Sequence, residues 1–340
     1  MNSRKQTKML LQIIIILASV LIILILVGSF MFFRFNMWKA WTNRGTRFYT
    51  PAQITSIKET ARQNGEDAKV DEIKQRLEGG TGINAILRQF YPDDYIYTVD
   101  GRYYFSPINK NLKLNNLDNQ KFVKDDNGEI TYNDSSITTL KGIDVSQYQG
   151  NIDFSKVKNS GVEYAIIRCG YRGYESGTLT QDTKFDTNAR NALANDVSIG
   201  AYFYTQALTK EEAEEEADFV INCLKPYHVD YPVCLDVETA PEDAARQNSL
   251  SNSELTDVVV AFCERIKAAG YTPMIYSNSR YFAGRLEMER LEDYDKWYAS
   301  YSDKMFYPYE YKIWQYSDKG KIQGISTDVD LNICFAPIWE

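Results

Sequence analysis

The distribution of apolar residues divides the chain into three regions with different patterns. Residues 9–33 are 25 positions without a charged side chain, mostly Ile, Leu and Val, and three basic residues precede them within residues 1–8. That length crosses a hydrocarbon layer of about 30 Å with some tilt. No small-x-small cleavage site is obvious, which favours an uncleaved signal anchor. Because the basic residues come first, we expect residues 1–8 in the cytoplasm and the chain after the span outside, on the cell-wall side of the membrane.

Residues 44–138 carry short and mixed signals. Cap residues and turn dipeptides predict three helices and two hairpins: residues 51–65, 67–79 and 83–91, with turns at Asp100-Gly101 and Asn127-Gly128. We interpret this region as a small membrane-proximal α+β module. A spacer, a wall-binding module and a surface for a protein partner all fit it.

From residue 139 to residue 340 apolar strands alternate with helical patterns. Eight strands are predicted: Gly142–Ser146, Tyr164–Gly170, Ser198–Thr205, Val233–Glu238, Met274–Ser277, Trp297–Ser300, Ile313–Tyr316 and Val329–Asn332. Capping boxes at Thr209–Glu212 and Ser251–Glu254 begin two of the helices between them. Repeated strand–helix order predicts mostly parallel strands, as an open sheet or as a (β/α)8-like barrel that is not necessarily regular.

The fourth strand ends in two carboxylates, Asp236 and Glu238. Residues two apart on a strand share a face and lie roughly 6–7 Å apart along it. Two carboxyl groups that close raise one pKa, so that one of them can act as an acid. A structural pair bound to Arg or to backbone amides fits the spacing equally well.

Composition excludes several classes of site. The single histidine, His228, makes histidine triads and His-ligated metal sites improbable, and five cysteines without CxxC spacing fit neither a zinc site nor a disulfide framework. A net charge of −8 and the lack of a basic stripe argue against nucleic acid as a partner. We expect no metal and no cofactor.

Chemistry in such barrels sits at the carboxyl ends of the strands. Polar or aromatic residues occupy nearly all of these ends: Asp144, Arg168, Tyr202, Tyr204, Asp236, Glu238, Tyr276, Trp297, Gln315 and Asp330. A cleft lined with acids, aromatic rings and amides suits a neutral or weakly anionic sugar polymer.

These strands carry a series of motifs that resembles one known family, the glycoside hydrolase family 25 lysozymes, which are N-acetylmuramidases. The motifs run in order across about residues 139–336: Lys141-Gly-Ile-Asp-Val-Ser-Gln-Tyr-Gln-Gly150, Ala165-Ile-Ile-Arg-Cys-Gly170, Gly200-Ala-Tyr-Phe-Tyr204, Leu235-Asp-Val-Glu238, Ile275-Tyr-Ser277, Trp297-Tyr-Ala-Ser-Tyr301, Ile313-Trp-Gln-Tyr316 and Asp328-Val-Asp-Leu-Asn332. Any one of these motifs is weak, whereas all of them in order are specific. The first 138 residues lie outside the resemblance.

The resemblance implies a role for each acid. Glu238 is expected to be the general acid that protonates the bond between muramic acid and glucosamine units. Asp236 is expected to stabilise the transition state, either by assisting attack of the substrate's own acetamido group, with net retention, or by attacking directly. Asp144 and Asp330 correspond to two further cleft acids, and Asp328 is the alternative to Asp330.

Six further residues are expected in the cleft, where they bind substrate or pack the barrel: Arg168, Tyr202, Tyr204, Tyr276, Trp297 and Gln315. The sequence therefore predicts a membrane-anchored muramidase that acts on peptidoglycan near the membrane. A non-catalytic wall-binding protein and a glycosidase acting on chitin-like polymers are the alternatives. Tethering also fits local opening of the wall for a machine that spans it.

Overall fold

The structure is a computed structural model that describes residues 3–42, 50–240 and 245–335. The chain forms two compact units, Met1–Thr81 and Gly82–Glu340.

The first unit contains two long helices, α1 (Ser3–Thr42) and α2 (Pro51–Glu78). Within α1, Gln6–Lys39 are long and apolar enough to cross a membrane. The prediction that a helix ends at Gly65 is wrong, because α2 runs through it. One interior glycine costs a helix only about 1 kcal/mol, and the ion pairs of Arg62 with Glu59 and Glu66 support this turn.

The second unit begins with a short helix and two antiparallel hairpins: α3 (Ile83–Phe90), β1 (Asp94–Val99), β2 (Arg102–Pro107), β3 (Phe122–Lys124) and β4 (Ile130–Tyr132). β1 pairs with β2 and β3 pairs with β4, so both predicted hairpins are confirmed.

A nine-stranded sheet follows: β5 (Thr139–Val145), β6 (Tyr164–Arg172), β7 (Leu179–Gln181), β8 (Ser198–Tyr204), β9 (Val233–Asp236), β10 (Pro273–Asn278), β11 (Asp295–Ala299), β12 (Ile313–Gly320) and β13 (Val329–Phe335). β7 pairs only with β6, and the other eight strands close into a barrel because β5 pairs with both β6 and β13. The predicted barrel is therefore confirmed.

Five helices accompany the barrel strands: α4 (Phe154–Asn159), α5 (Phe185–Leu193), α6 (Lys210–Leu224), α7 (Asn252–Ala268) and α8 (Ser279–Gly284). Both predicted capping residues begin their helices, since Thr209 and Ser251 each accept a hydrogen bond from the backbone N–H three residues later. Between β11 and β12 the described chain forms no helix, which makes the barrel irregular.

The last strand runs against its neighbours. β13 is antiparallel to β12 and to β5, whereas the other barrel pairs are parallel. The beginning of β13 therefore lies at the edge where the other strands end, and Asp330 pairs in register with Asp144. The sequence placed Asp330 at the end of a strand; the reversal of β13 brings it to the same edge from the strand's start.

The two hairpins pack onto the barrel. Tyr95 of β1 shares hydrogen bonds with Tyr298 (2.5 Å) and Ser279 (2.9 Å), and the Phe122 ring meets the Trp314 ring edge-on with centroids 5.1 Å apart. Residues 82–138 thus belong to the same compact unit as the barrel, although the predicted boundary at residue 138 separates them. The physical reason is that their aromatic side chains complete the core outside the strands.

Gly142 lies where β5 passes closest to a buried ring. A Cβ there would lie 2.0 Å from the Tyr164 ring, which stacks on Tyr231 at 4.2 Å and has no room to move. We expect Gly142→Ala to lower the free energy of unfolding by about 1–3 kcal/mol, as overpacking does, measured by denaturant titration. Gly82→Ala, which meets open space, is the control and should change it by less than about 1 kcal/mol. Equal effects would contradict the clash.

Candidate active site

Four carboxyl groups meet at the edge where the parallel strands end. Asp144 lies near the end of β5 and Asp330 pairs beside it. Asp236 is the last residue of β9, and Glu238 follows two residues later, so that strand ends earlier than predicted. Inward-facing positions alternate along each strand, so the apolar barrel core gives way at this edge to charged and aromatic side chains.

Asp144 and Asp330 form a coupled pair. Oδ2 of Asp144 accepts hydrogen bonds from Nε2 of Gln315 (2.9 Å) and Nδ2 of Asn332 (2.8 Å). Burial raises the pKa of both carboxyl groups, and the proximity of Asp144 further raises the pKa of Asp330, which reaches about 9. The two amide donors lower the pKa of Asp144 against the effect of burial, so the ionised form of the pair is favoured on Asp144 and the proton on Asp330.

Three aromatic side chains orient those two amides. Oε1 of Gln315 accepts from the hydroxyls of Tyr276 (2.8 Å) and Tyr301 (3.1 Å), and Oδ1 of Asn332 accepts from Nε1 of Trp297 (2.8 Å). With its carbonyl engaged, each amide must present its N–H2 group to Asp144. The aromatic side chains thereby keep both amide donors in the orientation that favours the ionised form of Asp144.

Two residues expected in the cleft lie beneath its surface. Trp297 is 1% exposed and Gln315 is 2% exposed, so neither presents a face to a polymer. This corrects the expectation that they touch substrate directly. Strand register, and not side-chain type, sets their depth: both belong to the interior layer and act through Asn332 and Asp144.

Asp236 and Glu238 also form a coupled pair. Asp236 is 5% exposed, and its Oδ1 has no hydrogen-bond partner among the described residues. Burial, then the charges of Glu238 and Asp144, raise its pKa well above the usual range. Burial and the charge of Asp144 raise the pKa of Glu238 to about 7. Both carboxyl groups therefore bind a proton more tightly than two solvent-exposed carboxyl groups would.

Backbone contacts fix the chain between these two acids. The carbonyl of Asp236 accepts from the N–H of Thr205 (3.1 Å), and the N–H of Val237 donates to the carbonyl of Tyr276 (3.0 Å). The hydroxyl of Ser277 donates to the carbonyl of Val237 (2.5 Å). Neighbouring strands thus hold the segment that carries Glu238 although it lies beyond β9.

Arg168 places a positive charge near the four acids. Its Nε donates to Oδ2 of the fully buried Asp182 (2.8 Å), and its guanidinium lies 4.9 Å from the centre of the exposed Tyr148 ring. The charge of Arg168 lowers the pKa of Asp236, opposite in direction to burial. Arg168 therefore favours the ionised form of Asp236.

Tyr202 and Tyr204 lie beside the acids and are half-buried. Burial raises the pKa of both hydroxyls, helped by Asp144 for Tyr202 and by Asp236 and Glu238 for Tyr204. Both hydroxyls therefore remain protonated, which keeps them available as hydrogen-bond donors.

Sequence reasoning missed Asn332, Tyr301, Tyr148 and Asp182. Asn332 follows Asp330 by two residues, and residues two apart on a strand share a face, so this spacing could have identified Asn332. Tyr148 and Asp182 lie outside the strand ends that were considered. Asp328, the alternative to Asp330, is exposed and pairs with Lys321 away from the four acids.

Comparison with known proteins gives a consistent result. The model of glycosyl hydrolases family 25 matches residues 143–325. An autolytic lysozyme of Clostridium acetobutylicum is 29% identical over 196 residues, which are 57% of this chain and 55% of that protein. Lysozyme M1 of Streptomyces globisporus is 25% identical over 222 residues, covering 60% of this chain and 70% of that protein.

The fold also has solved counterparts. The modular autolysin LytC from Streptococcus pneumoniae superposes with a TM-score of 0.54 at 21% identity, over 72% of this chain and 61% of that one. This likeness concerns the fold. The chain spans about half the length of the Clostridium relative, and the family model matches within the barrel region.

Proposed function

The chain belongs to glycosyl hydrolases family 25, and we propose that it hydrolyses the β-1,4 bond between N-acetylmuramic acid and N-acetylglucosamine in peptidoglycan. The observation that carries this proposal is the position of Glu238 two residues after the buried Asp236, at the carboxyl edge of the barrel where Asp144 and Asp330 also lie. Glycoside hydrolysis needs such a pair, one member to protonate the leaving oxygen and one to stabilise positive charge on the sugar. The lysozyme names of two relatives support the choice of substrate.

Glu238 acts as the general acid and then as the general base. It donates its proton to the glycosidic oxygen as the bond to the anomeric carbon breaks. The resulting carboxylate then takes a proton from the water that completes hydrolysis, which restores the starting state.

Asp236 stabilises the charge that develops on the substrate. In the proposed route the acetamido oxygen of the muramic acid unit attacks its own anomeric carbon, and Asp236 accepts a hydrogen bond from the acetamido N–H. The buried Oδ1 of Asp236, without a partner among the described residues, supports this role. Water then attacks the anomeric carbon from the face that the leaving group vacated and displaces the acetamido oxygen, so that the two inversions give net retention of configuration.

Asp144 and Asp330 raise the pKa values of Asp236 and Glu238 or support that effect, and they bind sugar. The charge of Asp144 contributes to the raised pKa of both Asp236 and Glu238. Asp330 holds the proton that lets Asp144 carry this charge, and its partly exposed side chain faces the cleft edge. Removing the charge on Asp144 therefore weakens the hold of Glu238 on its proton.

The proposed location rests on the N-terminal helix. Gln6–Lys39 are long and apolar enough to span a membrane, which supports a single-pass anchor with the barrel on the wall side. Such a tether restricts cleavage to wall within reach of the membrane, consistent with local opening of the wall for a machine that crosses it.

The proposal is tested by incubating the full-length chain in detergent with insoluble cell walls and, separately, with chitin oligomers. New reducing ends from walls alone support it. Sedimentation with walls without cleavage would indicate a binding protein, and cleavage of chitin oligomers in preference to walls would indicate the other glycosidase class.

The rate should depend on pH through Glu238. Because its pKa is about 7 and the protonated form is active, about 90% of Glu238 carries the proton at pH 6 and about 10% at pH 8. We expect kcat/KM on soluble wall fragments to fall tenfold per unit above pH 7. A rate that rises steadily from pH 6 to pH 9 would contradict the assignment of Glu238 as the acid.

A further inference from the structure

Beside the four acids the surface continues into a polar groove, here called the hairpin groove. It encloses about 260 Å³. The hairpin β3–β4 forms one wall with Lys124 and Asn127, while Tyr301, Asp303 and Lys319 lie on the other. The hairpin precedes residues 143–325, so one wall lies outside the region matched by the family model.

The hairpin groove is continuous with the candidate active site. Tyr301, which lines it, is 56% exposed, and its hydroxyl donates to Oε1 of Gln315, the amide that holds Asp144. Asp318, also on the groove, contributes to the raised pKa of Asp330. A polymer that passes the four acids on this side therefore meets the hairpin next.

The hairpin is held in place before any ligand arrives. Phe122 packs edge-on against Trp314, and Lys141 pairs with Glu129 at the other strand. Across the groove Lys124 pairs with Asp303 at 2.7 Å. A wall fixed in this way loses little freedom on binding, which favours affinity.

We propose that the hairpin groove binds an additional sugar unit of the glycan strand, beyond the units flanking the bond that is cut. This inference rests on the proposed function. An exposed tyrosine ring, the side-chain amide of Asn127 and the serine hydroxyls of the wall match the apolar faces, hydroxyls and acetamido groups of such a unit. The groove carries two lysines and two aspartates, a balance that favours a neutral sugar over the charged stem peptide.

The test compares peptide-free glycan oligomers of two and of four disaccharide units as substrates of the full-length chain. We expect wild type to cleave the longer oligomer with the higher kcat/KM. In the double variant Lys124→Ala with Asn127→Ala, kcat/KM on the longer oligomer should fall about tenfold because KM rises. On the shorter oligomer its kcat/KM should stay within about twofold of wild type. Lys110→Ala is the control, because it removes another exposed ion pair between a lysine and an aspartate, with Asp93 at 2.6 Å, and Lys110 does not line the groove.

Three results would overturn the inference. In the first, the double variant has the same kcat/KM as wild type on both oligomers. In the second, its kcat/KM falls by the same factor on both, which would mean that the hairpin only supports the fold. A loss seen only with peptide-bearing substrates would assign the groove to the stem peptide. If no oligomer is cleaved, the proposed function fails, and calorimetry then tests whether the hairpin groove binds sugar. The inference requires that wild type bind the longer oligomer more tightly than the double variant does, and equal affinities would overturn it.

Discussion

Glu238→Gln is expected to lower kcat/KM on peptidoglycan by about a thousandfold or more. Glutamine keeps the shape of the side chain and removes the proton that the leaving oxygen needs, and general acid catalysis contributes roughly 10²–10⁴ to a rate. The measurement is release of reducing ends from walls. Glu214→Gln, an exposed position on α6, is the control and should retain wild-type activity.

The fold of Glu238→Gln should remain intact. The half-buried Glu238 side chain is electrostatically opposed by Asp144, so its replacement by a neutral amide removes a repulsion and breaks no hydrogen bond found among the described residues. Circular dichroism and denaturant titration should match wild type. Full wall-lytic activity in this variant would contradict the assignment.

Asp236→Asn is expected to lower kcat/KM by about 10²–10³, as loss of one preorganised group at a developing charge does. The neutral amide cannot balance positive charge on the sugar ring, and its oxygen accepts the hydrogen bond from the acetamido N–H more weakly than a carboxylate does. Asp230→Asn, an exposed aspartate, is the matched control and should be neutral. Equal rates for the two variants would remove Asp236 from the mechanism.

The part played by Asp236 is separable by a trapping experiment. A 2-fluoro muramic acid substrate with a good leaving group lacks the acetamido group and accumulates a covalent sugar–enzyme ester only if a carboxylate attacks directly. With assistance by the acetamido group we expect no labelled peptide containing Asp236. A stable adduct on Asp236 would establish direct attack.

The eight barrel strands were predictable because each contains a short apolar run that ends near a turn signal or a polar side chain. The direction of the last strand was not, since Val329–Phe335 reads the same whether it runs parallel or antiparallel. The pairing of Asp330 with Asp144 depends on that reversal and therefore needed the structure.

The depth at which a side chain lies in the barrel could likewise not be predicted from the sequence. Trp297 and Gln315 are residue types that bind sugars, yet strand register places both under the cleft, where they orient a carboxylate. The same holds for the hairpins: the turn dipeptides predicted them, but not that Phe122 and Tyr95 would pack on barrel side chains. Local pattern identifies an element and leaves its packing partner open.

The identity of the new reducing end tests the central claim most directly. Walls digested by the full-length chain are reduced with borohydride and hydrolysed, and the reduced amino sugars are quantified against undigested walls and walls treated with Glu238→Gln. We predict an increase in muramitol with wild type alone. An increase in glucosaminitol, or no new reducing end with wild type, would contradict cleavage between muramic acid and glucosamine.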